Sequence, residues 1–274
     1  MKKHAFCIAA ALTLFSAAPA FGADDYVFGG MHLGFAEDFF GLGWRGHGQA
    51  GGFRGGLGFD MGWSTKNFDL FGQESSEEDL SFYGSIGLSV GAMFVDIGLD
   101  LGYSVAYPET DSRWTRDGCQ CPIYEKKTWF LPVLFSDKLI EGFVLGLTPR
   151  IGAAFKIQSV RIVPSIGMGM HWLWAETTDD GLKALSCQLS SLAVGQAYSN
   201  LLDEAKTTAF RTALNMGLEL HFEGAFMLGV EVSVPLSQET TWAIKSIDGS
   251  TFNDTADSFE KEVSVTVSLG FSRS

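Results

Sequence analysis

Four histidines are the residues of this sequence best suited to metal binding or proton transfer, since imidazole does both near neutral pH. They are His32, His47, His171 and His221. Each falls in a different segment of alternating polarity and at a different depth in our alignment of those segments. We therefore expect polar lining of an interior, and we predict no metal site and no cofactor.

An acidic pair, Asp179-Asp180, lies shortly after His171. Carboxylates beside an imidazole can activate water, which would be the chemistry of a protease. A helix cap is the simpler interpretation, because apolar residues follow at spacings of three and four, namely Leu182, Leu185, Leu189, Leu192 and Ala193. The helix is predicted from about Gly181 to Lys206, as a cap over a mouth, a plug or an adhesive surface. We predict no enzyme.

A glycine motif, Gly41-Leu-Gly-Trp-Arg-Gly46, matches the spacing of nucleotide-binding fingerprints. Such a fingerprint requires a preceding strand, a following helix and a cytosolic setting. The sequence predicts none of these here, so we interpret the glycines as part of a tightly curved hairpin.

The first residues have the pattern of a secretory signal peptide. Lys2 and Lys3 precede an apolar run and then small residues up to Gly22. We therefore expect residues 1–22 to be a signal peptide and residues 23–274 to be one domain. The latter has no apolar stretch near the roughly 18 residues of a membrane helix. A net charge of −13 argues against a nucleic-acid partner.

Three cysteines, Cys119, Cys121 and Cys187, follow the predicted signal peptide. Their odd number prevents complete pairing within one chain. A bridge from Cys187 to one of the other two is feasible in an oxidising compartment, whereas a well-spaced second pair of zinc ligands is missing. We expect all three to lie in loops.

The elements that position these residues are predicted by apolar residues at every second position. This alternation, over about ten residues, is typical of strands that face lipid on one side and a lumen on the other. In Phe53–Trp63, Arg54 and Asp60 fall on the inner face. Seven further segments repeat the pattern with no charge on the lipid face: 80–90, 95–107, 143–157, 160–174, 210–222, 226–236 and 263–271.

The number of strands is predicted as eight, or as ten if residues 27–44 form a further hairpin, which we favour. Tight turns are predicted at Gly51-Gly52, Met93-Phe94, Gln158-Ser159 and 223–225. Long loops are predicted at 65–79, 108–142, 175–209 and 237–262, and the loop-length rule places them outside the cell. Pro149 and Pro164 fall inside strands and predict bulges.

The signal peptide, the alternating strands and the final run Val263-Ser-Val-Thr-Val-Ser-Leu-Gly-Phe271 resemble small bacterial outer-membrane β-barrels, including the outer membrane protein A, X and W types. The resemblance implies an all-β, transmembrane, antiparallel up-and-down barrel of 8–10 strands, surrounded by lipid in the outer membrane of a diderm bacterium. It also implies that the barrel-assembly machinery reads Phe271. The Asp179-Asp180 pair near His171 is similar to the rim of ten-stranded outer-membrane proteases, a remote alternative.

The lumen is predicted to be narrow, because large charged residues face glycines across hairpins, as in the large-small alternation of small barrels. The luminal residues are Asp96, Asp100, Arg150, Lys156, Arg161, Glu219 and Glu231. Hairpin arithmetic pairs Asp96 with Gly91, Asp100 with Gly87, Arg150 with Gly167, His171 with Gly146, Glu219 with Gly229, and Glu231 with Gly217.

A gate is predicted near the tight turns. Lys156 and Arg161 oppose each other across Gln158-Ser159, and we expect Asp96 and Glu219 to neutralise them in a cluster that closes the lumen. The predicted function is a narrow or gated channel for small solutes or ions. The alternative is a surface adhesin or scaffold that contacts a host through long acidic loops.

Overall fold

A computed structural model describes residues 26–64, 68–70, 73–108, 138–194, 201–222, 226–256 and 263–273. The predicted signal peptide, the turn at 223–225, Cys119 and Cys121 lie outside them. The described residues form one helix, α1 (Asp179–Val194). They also form thirteen strands: β1 (Tyr26–Phe35), β2 (Phe39–Ala50), β3 (Phe53–Ser64), β4 (Phe68–Leu70), β5 (Gln73–Val90), β6 (Met93–Pro108), β7 (Ile140–Ala153), β8 (Phe155–Ile157), β9 (Val160–Thr177), β10 (Leu202–Phe222), β11 (Phe226–Ser246), β12 (Thr251–Ala256) and β13 (Ser264–Arg273).

Ten of the thirteen strands follow one another around a closed antiparallel barrel. Their order around the barrel is β1, β2, β3, β5, β6, β7, β9, β10, β11 and β13, and β13 pairs with β1. β8 continues the line of β7 along β9, while β4 and β12 pair with β5 and β11. The larger predicted strand number, which includes the hairpin of β1 and β2, is confirmed.

No helix within the described part of the chain is long and apolar enough to cross a membrane.

The outer wall of the barrel carries the apolar residues predicted to face lipid. Phe53, Ile86 and Val90 are 67%, 72% and 82% exposed on the isolated barrel. An exposed apolar belt of this kind is the surface that a barrel presents to the hydrocarbon core. Leu42, Met61, Val105 and Tyr107 were predicted for the same face but are buried, so protein surrounds them.

The tight turns at Gly51-Gly52 and Gln158-Ser159 are confirmed by the pairs Ala50↔Phe53 and Ile157↔Val160. The turn predicted at Met93-Phe94 is wrong, since Val90 pairs with Met93 and the turn is Gly91-Ala92. Gly91 takes this position because its φ of +60° suits glycine far better than other residues.

The shifted turn changes two cross-strand partners that the sequence predicted. Asp96 lies opposite Gly87 rather than Gly91, and Asp100 lies opposite Tyr83. The turn is displaced by two residues and each cross-strand partner by four, and because both shifts are even the inward and outward faces are preserved. The other predicted partners are confirmed: Arg150↔Gly167, His171↔Gly146, Glu219↔Gly229 and Glu231↔Gly217.

The prolines behave differently from the prediction. The ladder of β7 and β9 keeps its register past Pro149, and β9 keeps its register with β10 past Pro164. Pro164 faces the break between β7 and β8, where no β7 partner needs its missing N–H. A register shift occurs instead opposite Pro235, where Ala213 pairs with Pro235 and Thr212 with Ser237.

Several predicted loops are in fact strand. β5 begins at Gln73, β10 begins at Leu202, and β11 and β12 form a hairpin within 237–262. The helix correspondingly ends at Val194, not Lys206. β10 and β11 have 21 residues each, which is about 70 Å of strand and about 50 Å along the membrane normal when tilted by about 40°. The apolar band is only about 25 Å tall, so the end opposite the tight turns extends well beyond it.

A charge on the outer wall should prevent normal assembly. We expect Leu99→Arg, which would place a guanidinium on the exposed apolar face, to cost about 2–4 kcal/mol of folding free energy in lipid. Urea titration of the protein refolded in vesicles, followed by the heat-dependent gel mobility of folded barrels, measures this cost.

Thr148→Arg is the matched control. Thr148 lines the lumen on the strand that pairs with β6, opposite Gly98. The added charge should enter a polar space and be tolerated. If Thr148→Arg were the more damaging change, the assignment of the two faces would be reversed.

Candidate functional site

At the end of the barrel with the tight turns, a layer of buried and half-buried side chains fills the lumen. We call this the plug layer, and it consists of Tyr26, Phe28, His47, Arg54, Phe94, Asp96, Arg150, Glu219, His221 and Met227. Tyr26, Phe94 and Met227 are 1%, 2% and 1% exposed. The residues of the plug layer face inward because the side chains of a strand alternate, so that every second residue points into the lumen. The plug therefore comes from the strands themselves.

Asp96 is the anion at the centre of the plug layer. Arg150 donates two parallel hydrogen bonds to its carboxylate, Nε to Oδ1 at 2.9 Å and Nη2 to Oδ2 at 3.0 Å. Arg54 Nε lies 3.4 Å from Oδ2. The Arg54 guanidinium also lies 3.7 Å from the centre of the Phe94 ring and donates to the Tyr26 hydroxyl. One carboxylate thus lies between two guanidinium groups and pairs with both.

Glycines make the room that these groups occupy. A Cβ at Gly87 would collide with Asp96, and a Cβ at Gly152 would collide with the Phe94 ring. Close packing leaves a larger residue at either position no space. The predicted alternation of large and small residues therefore holds in the plug layer, although the partner of Asp96 is a different glycine from the predicted one.

A second polar group in the plug layer joins β2 to β10. Glu219 Oε2 lies 2.9 Å from His221 Nε2 and 3.4 Å from His47 Nε2. The His47 ring packs edge-on against Phe28, and the His221 ring against Tyr26. The prediction that these two histidines lie at different depths is wrong, because their ring centres are 6.1 Å apart.

The predicted gate residues do not combine as expected. Lys156 and Arg161 oppose each other as predicted, but Asp96 pairs with Arg54 and Arg150, and Glu219 with the histidines. The Arg161 guanidinium lies 4.4 Å from the centre of the Tyr26 ring, and Lys156 is exposed. Two of the partners differ because Arg54 of β3 and His47 of β2, which hairpin arithmetic does not connect to β8, reach the same depth from other parts of the wall.

Beyond the plug layer the lumen widens into a cavity of about 460 Å³ that reaches the turn between β1 and β2. Its charged and imidazole lining comprises His32, Arg45, Asp60, Asp79, Asp100, Arg150, His171, Arg211 and Glu231. Arg45 donates to Asp60 at 2.9 Å and lies over the Tyr83 ring, and His32 also pairs with Asp60. Asp100 and Glu231 of the predicted luminal set lie here.

The segment around Asp179-Asp180 is the start of α1. Its N-cap is Thr178, whose Oγ1 accepts a hydrogen bond from the Gly181 N–H at 3.2 Å, so capping by the two aspartates is wrong. Asp180 pairs with Lys183 at 3.0 Å.

Cys187 on α1 is buried and disulfide-bonded. The other cysteines lie outside the described residues. The helix packs against β10 and β9.

The sequence matches no family model and no curated protein. Solved structures similar in fold include the β-domain of the Bordetella autotransporter BrkA, with a TM-score of 0.37 and 11% identity over 90% of this chain and 97% of that one. They also include a major outer membrane protein of Thermus thermophilus, with a TM-score of 0.36 and 11% identity over 90% and 98%. The translocator domain of autotransporter NalP from Neisseria meningitidis has a TM-score of 0.36 and 10% identity over 97% and 93%.

Removal of the central anion should destabilise the barrel strongly. We expect Asp96→Asn to cost about 3–5 kcal/mol, because two buried guanidinium groups would lose their counter-charge. The urea midpoint of the refolded protein measures this loss.

Asp203→Asn is the matched control, since it removes a carboxylate from an exposed pair with Lys245 at 2.5 Å. Water can replace that partner, so the midpoint should stay close to that of the unchanged protein. Equal midpoints for both variants would contradict a central role for Asp96.

Proposed function

We propose that this protein is an outer-membrane β-barrel that admits small polar solutes or ions into its lumen and releases them through the plug layer when that layer opens. The observation that carries the proposal is the cavity of about 460 Å³ that ends on the plug layer. Its volume is within the range of about 300–1,000 Å³ typical of small-molecule sites.

The lining of the cavity supports a small polar solute. Arg45 and Arg211 contribute positive charge, while Asp100 and Glu231 contribute negative charge. A wall with both signs can hydrogen-bond solutes that carry both, and it repels neither sign uniformly. A ten-stranded barrel is also much narrower than the 16–18-stranded porins with their open aqueous channels, so bulk diffusion of large solutes does not fit.

The plug layer has two kinds of components, which would behave differently in gating. The ion pairs of Asp96 hold Arg54 and Arg150 in fixed positions. Phe28 and Met227 fill space through packing, with 4% and 1% exposure. Rotation of the apolar side chains breaks no hydrogen bond, so we propose that they are the moving part.

The orientation follows from loop length, with the long strands outside and the tight turns in the periplasm. Insertion would then use the barrel-assembly machinery and Phe271 of the last strand, which is 63% exposed on the outer wall beside Phe226.

Impermeant labelling tests this orientation on intact cells. A cysteine at Ser250, in the exposed turn between β11 and β12, should be labelled. One at Gln158, in the exposed turn between β8 and β9, should be protected. The unmodified chain gives the baseline for native cysteines, and lysed cells show that both positions react. Labelling of Gln158→Cys alone on intact cells would show that the real orientation is the opposite of the assigned one.

Conductance in planar bilayers tests the gate. We expect the unchanged barrel to show long closed periods with brief openings, and the Phe28→Ala, Met227→Ala double variant to remain open. The smaller side chains leave a continuous path past the ion pairs. Phe82→Ala, which removes a ring from the lipid-facing wall, where it is 62% exposed, should behave like the unchanged barrel.

The recordings also separate the channel from a second candidate function, a surface scaffold or adhesin. The observation that favours this second role is the length of β10, β11 and β12 beyond the apolar band. An unchanged barrel that never opens, beside a double variant that conducts, would support the scaffold and end the channel proposal. Failure of the folded double variant to conduct would show that Phe28 and Met227 are not the barrier.

A further inference from the structure

Three potential metal ligands meet inside the plug layer, and neither the ion pairs of Asp96 nor the proposed channel uses them. Nε2 of His47, Nε2 of His221 and a carboxylate oxygen of Glu219 all lie within 4.8 Å of one another. All three residues face the lumen, where side chains from separate walls can approach the same point.

The fold brings these ligands together from separated parts of the barrel wall. Glu219 and His221 are two residues apart on β10, so both point inward. His47 is on β2, and β11, β13 and β1 lie between β2 and β10 on the shorter path around the barrel. The contact between His47 and the other two residues therefore crosses the lumen, and an ion held by all three would connect β2 to β10.

The two distances from the Glu219 carboxylate to the histidines are those of ligands around one small cation. Two ligand atoms about 2.0–2.1 Å from zinc are roughly 3.3 Å apart in a tetrahedral arrangement, and about 2.9 Å apart in an octahedral one. The carboxylate oxygen of Glu219 is 3.4 Å from His47 Nε2 and 2.9 Å from His221 Nε2. Two imidazoles with one carboxylate also form the ligand set of many zinc sites.

The hydrogen bonding of the cluster leaves one ligand atom unsatisfied. His47 Nε2 is buried and makes no hydrogen bond, although it lies beside the carboxylate. At 3.4 Å from the carboxylate oxygen, this nitrogen is farther away than a usual hydrogen-bond partner. The separation suits two ligands of one ion, which would accept a lone pair from each nitrogen and from the carboxylate.

The surroundings of the cluster combine mixed charge with space for an ion. The nearby guanidinium groups of Arg54 and Arg150 share the carboxylate of Asp96. A cavity of about 50 Å³ is lined by His47 and Glu219, which is enough space for a water molecule as a further ligand. Phe28 and Met227 line the same cavity and limit access from bulk solvent.

We infer that His47, Glu219 and His221 form a binding site for a divalent transition-metal ion, with zinc as the expected occupant, that connects β2 to β10 across the plug layer. Zinc suits the mixed nitrogen and oxygen ligands and imposes little geometric preference of its own. The site is independent of transport, because a sealed scaffold would bind the ion equally well.

Zinc content of the refolded full-length chain, prepared without a polyhistidine tag, tests this inference. After dialysis against buffered micromolar zinc, we expect one tightly held ion per chain. His47→Gln and His221→Gln should each weaken zinc binding by at least about tenfold, since even outer-shell changes cost 10–100-fold. His171→Gln, which alters another luminal histidine outside the cluster, should leave binding unchanged.

Cobalt in place of zinc provides a readout that does not depend on the variants. Saturable visible absorption without a thiolate charge-transfer band is expected for nitrogen and oxygen ligands, which excludes the cysteines as the site. Folded gel mobility is checked for each variant. The inference is overturned if the unchanged chain gives no saturable cobalt spectrum, if a thiolate band dominates, or if folded His47→Gln and His221→Gln bind zinc as tightly as the unchanged chain.

Discussion

Lipid offers no hydrogen-bond partner, so each backbone N–H and C=O in the apolar band must be bonded to a neighbouring strand. The pairing of β13 with β1 completes this requirement by removing both edges of the sheet. Closure then fixes which residues face inward, because strand side chains alternate strictly. Charged residues must point into the lumen, where they have to neutralise one another. Asp96 with its two arginines is a direct consequence.

The small diameter of the barrel makes that neutralisation specific. Large side chains from separate walls meet near the axis, and glycines such as Gly87 and Gly152 provide the space that they need. The same restriction brings His47 of β2 to Glu219 of β10. A wider barrel would leave such groups hydrated and separate. The plug layer, the cavity beyond it and the histidine cluster thus arise from one geometric limit.

Sequence reasoning recovered what depends on local alternation and lost what depends on contacts across the lumen. The outward face near Ile86 and the pair Arg150↔Gly167 follow from period two and a two-residue turn. The meeting of His47 with His221 depends on closure and shear, which a single hairpin does not reveal. The outer parts of β10 and β11 were missed because charged and hydroxyl residues, such as Glu204 and Lys206, interrupt the apolar alternation there.

In the proposed channel, the position of the plug layer would determine how the barrel opens. Movement of a strand would break many ladder hydrogen bonds at once, each worth about 1 kcal/mol net in water and more in lipid, where no replacement exists. Rotation of one apolar side chain away from its preferred rotamer costs only about 0.5–1.5 kcal/mol. Because the tight turns hold the strand ends at this depth, opening through Phe28 and Met227 needs far less energy than opening through the wall. In the proposed channel, the side chains of the lumen would therefore move, and the wall would provide a fixed frame around them.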